Sequence, residues 1–346
     1  MAYTTIKKPS DYFNTKLYTG NNTSTSITGV GFQPDLTWFK RRDSSAQHSW
    51  FDSVRGVTKQ LTSNLTNADT TITDALTSFD SDGFTLGVDS GNYINFNNAT
   101  YASWSWLASN TTASNTDGSI TSTVSANTTA GFSIGTFTKS GDTTVGHGLN
   151  STPSLIITRH RNQASDWRVW HSSFGANEYI NLNSTSAKAT STTIWQNTLP
   201  TSYVFSMGSL FDNVASIFYA FAEKKGFSKF GSYSGNSSTD GTFVYLGFKP
   251  AFVIIKNASD GNNWVLLDNK RNTFNVQNTA LSPNTSGADD TNTSNYGTDF
   301  LSNGMKMRTS GGYTSNSNNA TGDTYIYMAF AENPFVTSTG IPTTAR

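Results

Sequence analysis

Gly31-Phe32-Gln33-Pro34-Asp35-Leu36-Thr37-Trp38-Phe39-Lys40 decides the reading of this chain, because the same phrase is written three times. It returns as Gly148-Leu149 through Pro153-Ser154-Leu155-Ile156-Ile157-Thr158-Arg159, and again as Gly247-Phe248-Lys249-Pro250-Ala251-Phe252-Val253-Ile254-Ile255-Lys256. The correspondence stays in phase downstream. Fourteen residues after each proline stands His48, Trp167 or Trp264, and four further on stands Asp52, His171 or Asp268. An apolar residue, an asparagine and an alanine follow at fixed spacing: Leu61/Asn64/Ala68, Ile180/Asn183/Ala187 and Leu281/Asn284/Ala288. Each copy closes on an aromatic-rich segment: Tyr101–Trp106, Ile217–Phe221 and Tyr325–Phe330. Landmarks that hold their spacing across unlike fillers mark a triplicated fold.

The periodicity is that of strands. Val253-Ile254-Ile255 and Tyr325-Ile326-Tyr327-Met328-Ala329-Phe330 are β-branched and aromatic runs bounded by Gly, Asn and Asp. Pro34, Pro153 and Pro250 sit at strand entry, where a missing N–H breaks no ladder bond. Ala215–Lys225 tempts toward helix, but its counterpart Tyr325–Glu332 argues for a strand. A short helical turn is expected near Ala68–Leu76, with Asn67 able to cap it. The predicted fold is all-β: three tandem antiparallel β-sandwich modules of jelly-roll or concanavalin-like type, whose inward-facing side chains shut three separate sheet pairs. The expected organisation is a lead-in or anchor over 1–12, module one over 13–110, module two over 132–226, module three over 227–336 and a tail over 337–346. Residues 111–131, almost wholly Thr, Ser, Asn, Ala and Gly, read as a linker or a solvated strand pair.

Bulk chemistry narrows function. Of 346 residues only 13% are charged, and they cancel to a net charge of zero. Such a surface lacks the field that draws in a phosphate backbone, so no nucleic-acid partner is expected. Cysteine is absent, which removes disulfides and thiolate chemistry. No apolar run is long enough for a secretory signal or a membrane span. Asn, Ser, Thr and Gly fill the solvent positions, as in extracellular and virion β-proteins.

The site candidates are few. Aromatic faces beside Asn and Asp are what sugar sites use. Trp167 and Trp264 recur at one repeat position and read as core. Trp50, Trp104 and Trp195 have no aromatic counterpart in every copy, and are the candidates for exposed ligand contacts. Asp80-Ser81-Asp82-Gly83 imitates half a calcium loop but reads as a turn, and Asp289-Asp290 invites the same caution. The basic set Lys40-Arg41-Arg42, Arg159-His160-Arg161 and Lys256 reads as solvated strand ends, with contact to an anionic glycan as the alternative. The three glutamates, Glu178, Glu223 and Glu332, do not suggest a paired-carboxylate site, and the four histidines show no metal spacing. No catalytic residue, metal or cofactor is expected.

Ile27-Thr28-Gly29-Val30-Gly31-Phe32-Gln33-Pro34-Asp35, Phe51-Asp52-Ser53-Val54-Arg55-Gly56 and Leu76–Gly87 resemble signatures of tail-fibre-like virion structural proteins of marine bacteriophages. The likeness runs from Met1-Ala2-Tyr3-Thr4-Thr5-Ile6 to Ile341–Arg346. It implies a non-enzymatic component on the surface of a phage particle, made in the host cytoplasm without a signal peptide, with concanavalin-like lectin modules. The role expected from it is a tail fibre or appendage that contacts host cell-surface glycans, assembled with other virion proteins as a homotrimer or larger symmetric array. The alternative is a capsid or tail decoration protein with a purely architectural role. In either case the lead-in or module one is expected to dock to the particle, with modules two and three pointing outward.

Overall fold

The structure, a computed structural model, describes residues 4–310 and 318–334. Among the described residues the regular structure is nearly all antiparallel strand, and helix is confined to short turns such as Thr192–Trp195. Three consecutive stretches of chain, called units one to three, each build a large and a small sheet. In unit one the large sheet runs, in spatial order, Phe13–Thr19, Thr100–Trp106, Leu36–Arg41, Ser49–Asp52, Lys59–Thr62 and Thr70–Thr71. Unit two repeats this order with Phe132–Phe137, Ser216–Phe221, Leu155–His160, Arg168–His171, Glu178–Asn181 and Ala189–Thr190. Unit three repeats it with Ser228–Ser234, Thr324–Pro334, Phe248–Asn257 and Val265–Asp268. In all three, the closing aromatic strand lies between the opening strand and the strand of the recurring motif. The small sheets are Thr25–Thr28, Gly83–Leu86 and Leu76–Asp80 in unit one, and Thr143–Gly146 with Val204–Met207 in unit two. In unit three they are Phe243–Tyr245, Gly304–Met307 and Thr298–Leu301.

The repeated landmarks now have causes. Gly31, Gly148 and Gly247 all turn with positive φ (93°, 70° and 79°), a region that side chains other than glycine's disfavour. Pro250 sits at a register shift in its strand, where its missing N–H is tolerated. Asn64, Asn183 and Asn284 each accept, through Oδ1, the backbone N–H of His48, Trp167 and Trp264, at 3.1, 2.9 and 3.0 Å.

One expectation is corrected in part. The sheet pairs of units one and three close on cores of their own, but the core of unit two is continuous with a cluster that all three units share. The large sheets of units one and three turn one face to their own small sheet: Phe39, Phe51 and Phe84 fill that space in unit one, Val253, Ile255 and Phe300 in unit three. Their other faces meet unit two in a single shared cluster, here called the hub. Register identifies equivalent hub positions: Trp106, Phe221 and Phe330 lie opposite Leu36, Leu155 and Phe252. Those three rings form a near-regular triangle, with centroids 6.3, 5.8 and 5.9 Å apart. Two residues back along the same strands, Trp104, Tyr219 and Met328 are also buried in the hub. Strands covered on both faces explain why Leu36–Lys40 and Ser216–Phe221 are buried at every position.

Smaller expectations divide. Residues 113–115 and 122–127 form strands added to unit two's large sheet, the strand-pair alternative for that segment. Ser216–Phe221 is a strand, whereas Ala68–Leu76 holds the short strand Thr70–Thr71 instead of the expected helical turn. The described part of the lead-in is folded in: Ile6 is buried in the hub cluster and Tyr12 meets Phe227 edge-on at 6.0 Å. The tail over 337–346 lies outside the described residues.

Candidate functional site

Trp50, Trp104 and Trp195 are not surface contacts. Trp50 and Trp104 lie in the hub, and Trp195 is buried within unit two. Trp50 packs against Trp167 and Tyr219 across the junction of units one and two, at 5.0 Å each. Absence of an aromatic counterpart does not mean exposure here, because a shared core needs a summed volume, not the same side chain three times. Opposite Trp38, Ile157 and Ile254, the position of Trp50 is taken by Val169 and Leu266 in the other units. Trp167 and Trp264 are core, as their recurrence implied.

The buried ionisable groups belong to the junctions and recur in cyclic order. Asp52 accepts a hydrogen bond from Tyr219 Oη of unit two at 2.7 Å, and Asp268 accepts one from Trp104 Nε1 of unit one at 3.2 Å. Each aspartate is also paired at 2.6 Å with an arginine three residues on, Arg55 or Arg271, all fully buried. At the third junction the residue opposite is Met328, which has no proton to donate. A carboxylate there would be buried without that partner, a situation that costs several kcal/mol. His171 stands in its place, Phe174 replaces the arginine, and the imidazole Nε2 lies 3.2 Å from the Tyr327 carbonyl of unit three. Burial pushes His171 down to about 4, so it is neutral near pH 7.

The leading residue of each basic group is not solvated, contrary to the expectation for strand ends, whereas Arg41, Arg42 and Arg161 stay partly exposed. Lys40, Arg159 and Lys256 are fully buried. Each reaches into the neighbouring unit and donates to a loop carbonyl at one repeat position: Lys40 to Ser286, Arg159 to Thr66 and Lys256 to Thr185, at 3.2, 2.9 and 3.0 Å. Burial lowers Lys40 to about 8, Lys256 to about 7 and Arg159 to about 10. Beside these clamps, Asp69, Lys188 and Asp289 donate backbone N–H groups to the carbonyls of Arg161, Ala258 and Arg42, at 2.7, 3.0 and 2.8 Å. Trp167 and Trp264 donate their indole N–H to the Thr62 and Asn181 carbonyls of the preceding unit. At His48 the Ser282 carbonyl acts in the equivalent sense, although Nε2 makes no hydrogen bond of good geometry, and burial holds this histidine neutral. One to two, two to three, three to one: the chain closes a ring on itself.

The acidic motifs are engaged locally. Asp82 accepts from the Gly29 and Gly31 N–H groups at 2.9 and 2.7 Å, and Asp80 from Ser78 and Thr85, so this segment is the expected turn. Asp289 pairs with Arg42 and Arg271, and Asp290 accepts from Tyr296. Glu178, Glu223 and Glu332 face Lys188, Lys229 and Lys249 at separate places.

Among the described residues, the outward features include a groove and an aromatic face. A groove of about 440 Å³ lies at the junction of units one and two, between Thr66, the segment from His160 to Arg168, and Leu210–Phe211. On the small sheet of unit three, Phe243 and Tyr245 are exposed on a strand whose middle residue, Val244, points inward. Phe274 is 80% exposed beside Asn275, which bonds the far strand of that sheet at Phe300. Nothing in the motif pattern pointed to either, since both arise where one unit departs from the repeat.

A family model for a domain of unknown function, DUF7483, matches residues 8–334, and the chain belongs to that family. Comparison with the curated proteins and with the solved structures returns no match.

Proposed function

We propose that this DUF7483-family chain is a non-enzymatic structural protein of a bacteriophage particle, a tail fibre or appendage whose outward loops meet host-surface glycans. The observation that carries the reading is how the buried charges are used. Asp52, Asp268, Lys40, Arg159 and Lys256 recur by position and hold one unit to the next. Titratable groups that do chemistry in an enzyme converge on a cleft; these buried charges are distributed around a hub. A rigid ring that presents several loop sets suits adhesion, because weak contacts on one stiff body gain avidity. Ring closure also makes internal the threefold interface that a homotrimer would otherwise supply.

A second reading, an accessory protein fixed to capsid or tail, draws on one feature. Phe243 and Tyr245 stand where unit one carries Ser26 and Thr28, and an exposed aromatic face suits burial against another virion chain. The separating experiment is retention of the fluorescently labelled full chain on host cells before and after periodate oxidation of surface sugars. Adhesion predicts that most of the retained signal is lost on oxidation. Retention that survives oxidation, or no retention at all, overturns it.

A further inference from the structure

The groove at the junction of units one and two is shaped by residues that the fold itself does not require. The repeat asparagine, besides holding the backbone N–H described above, donates its own amide to the residue thirteen after the motif proline. That partner is Gln47 in unit one, Asp166 in unit two and Asn263 in unit three. The fold therefore needs an acceptor oxygen at this position and obtains it from neutral amides twice. Only unit two places a charge there. Two residues on, where the other units carry Ser49 and Val265, unit two carries Arg168, whose guanidinium lies 3.2 Å from the Asp166 carboxylate.

This pair is held rigid from behind. Asn183 donates to Asp166 at 2.9 Å, Arg168 donates to Asn181 Oδ1 at 2.8 Å, and the guanidinium lies 5.1 Å from the Tyr179 ring centroid. Both side chains stay partly open to solvent, at 34% and 17%. Across the groove stands the 3₁₀ turn Ser209–Phe211, which has no helical counterpart between Leu86 and Thr100 of unit one. Phe211 is buried against His160, with ring centroids 4.8 Å apart, and leaves Leu210 exposed to the opening.

From this geometry we infer that the groove binds a sugar, as a terminal mono- or disaccharide rather than a long chain. A fixed carboxylate accepts hydrogen bonds from vicinal hydroxyls while the adjoining guanidinium donates to a hydroxyl or ring oxygen. Leu210 offers an apolar surface to the C–H face of the ring. The volume is at the small end of ligand sites, about 300–1,000 Å³. The inference deepens the adhesion reading and rests on it, and its failure can be told apart from that of the reading.

The test is a glycan array, followed by calorimetric titration of the best-retained saccharide, on the full chain and two variants that copy its own other units. Asp166→Asn keeps the acceptor oxygen for Asn183, as Asn263 does, and removes the charge. Arg168→Ser reproduces unit one. Both should melt at the wild-type temperature and bind at least tenfold more weakly. Unchanged affinity in both variants overturns this site while leaving adhesion standing. A wild-type chain that retains no saccharide overturns both.

Discussion

Asp52, His171 and Asp268 share one position in the repeat, and the residue across each junction decides which chemistry it carries. Tyr219 and Trp104 supply protons to the two aspartates, while Met328 supplies none and faces a neutral histidine. The histidines consequently tie stability to pH. Burial lowers His171 and His147 to about 4 and also depresses His48 and His160. Unfolded, all four would titrate near 6.5. Between about pH 6.5 and pH 4 the unfolded chain therefore binds protons that the folded one refuses, and stability falls as pH falls. By pH 4, His171 and His147 should each have removed on the order of 3 kcal/mol. Urea midpoints measured from pH 7 to pH 4 should drop steadily, and His171→Gln should shallow the slope by one histidine's share. A flat profile would refute the assignment. The spacing of these residues was legible in the sequence. Their roles were not, because each is defined by a partner 150 or more residues away.

At the scale of elements, strands and turns were the legible part, since glycine, proline and asparagine at fixed spacing answer to local backbone demands. Burial on both faces was harder to see. Phe252-Val253-Ile254-Ile255 is a continuous apolar run, the mark of a doubly covered strand, yet alone it does not say what the second cover is. The clamp residues were hidden for a related reason: a lysine or arginine at a strand end reads as solvated unless a neighbouring loop is known to fold over it. Arg159 makes that relation measurable. It donates to the Leu65, Thr66 and Asn67 carbonyls of unit one. Arg159→Met should speed amide exchange across residues 64–69 by ~10-fold, equivalent to ~1.4 kcal/mol of local stability. The matching loop 284–289, held by Lys40, should be unaffected. Equal acceleration of both loops would show that the clamp acts on the whole ring and not on its own junction.

For the whole molecule the hub is the term that matters most. Unit one directs Trp38, Trp50, Trp104 and Trp106 into it. Truncating a buried aromatic costs about 3–5 kcal/mol, and a whole domain is stable by about 5–15 kcal/mol, so four stranded indoles exceed what one unit could offset. Residues 13–110 expressed alone should show no cooperative melting as a monomer, and the full chain should melt in one calorimetric transition. Three resolved transitions, or a well-folded monomeric fragment, would contradict a shared core.

Because the three copies share one polypeptide, any substitution arises once per ring, whereas in a ring of identical subunits it is imposed at every corner together. Symmetry here constrains shape without constraining content. Val169 could shrink while Trp50 stayed large, and a carboxylate could appear at one junction while amides persisted at the others. Duplication within the gene thus lets the scaffold keep its geometry while its corners evolve separate tasks.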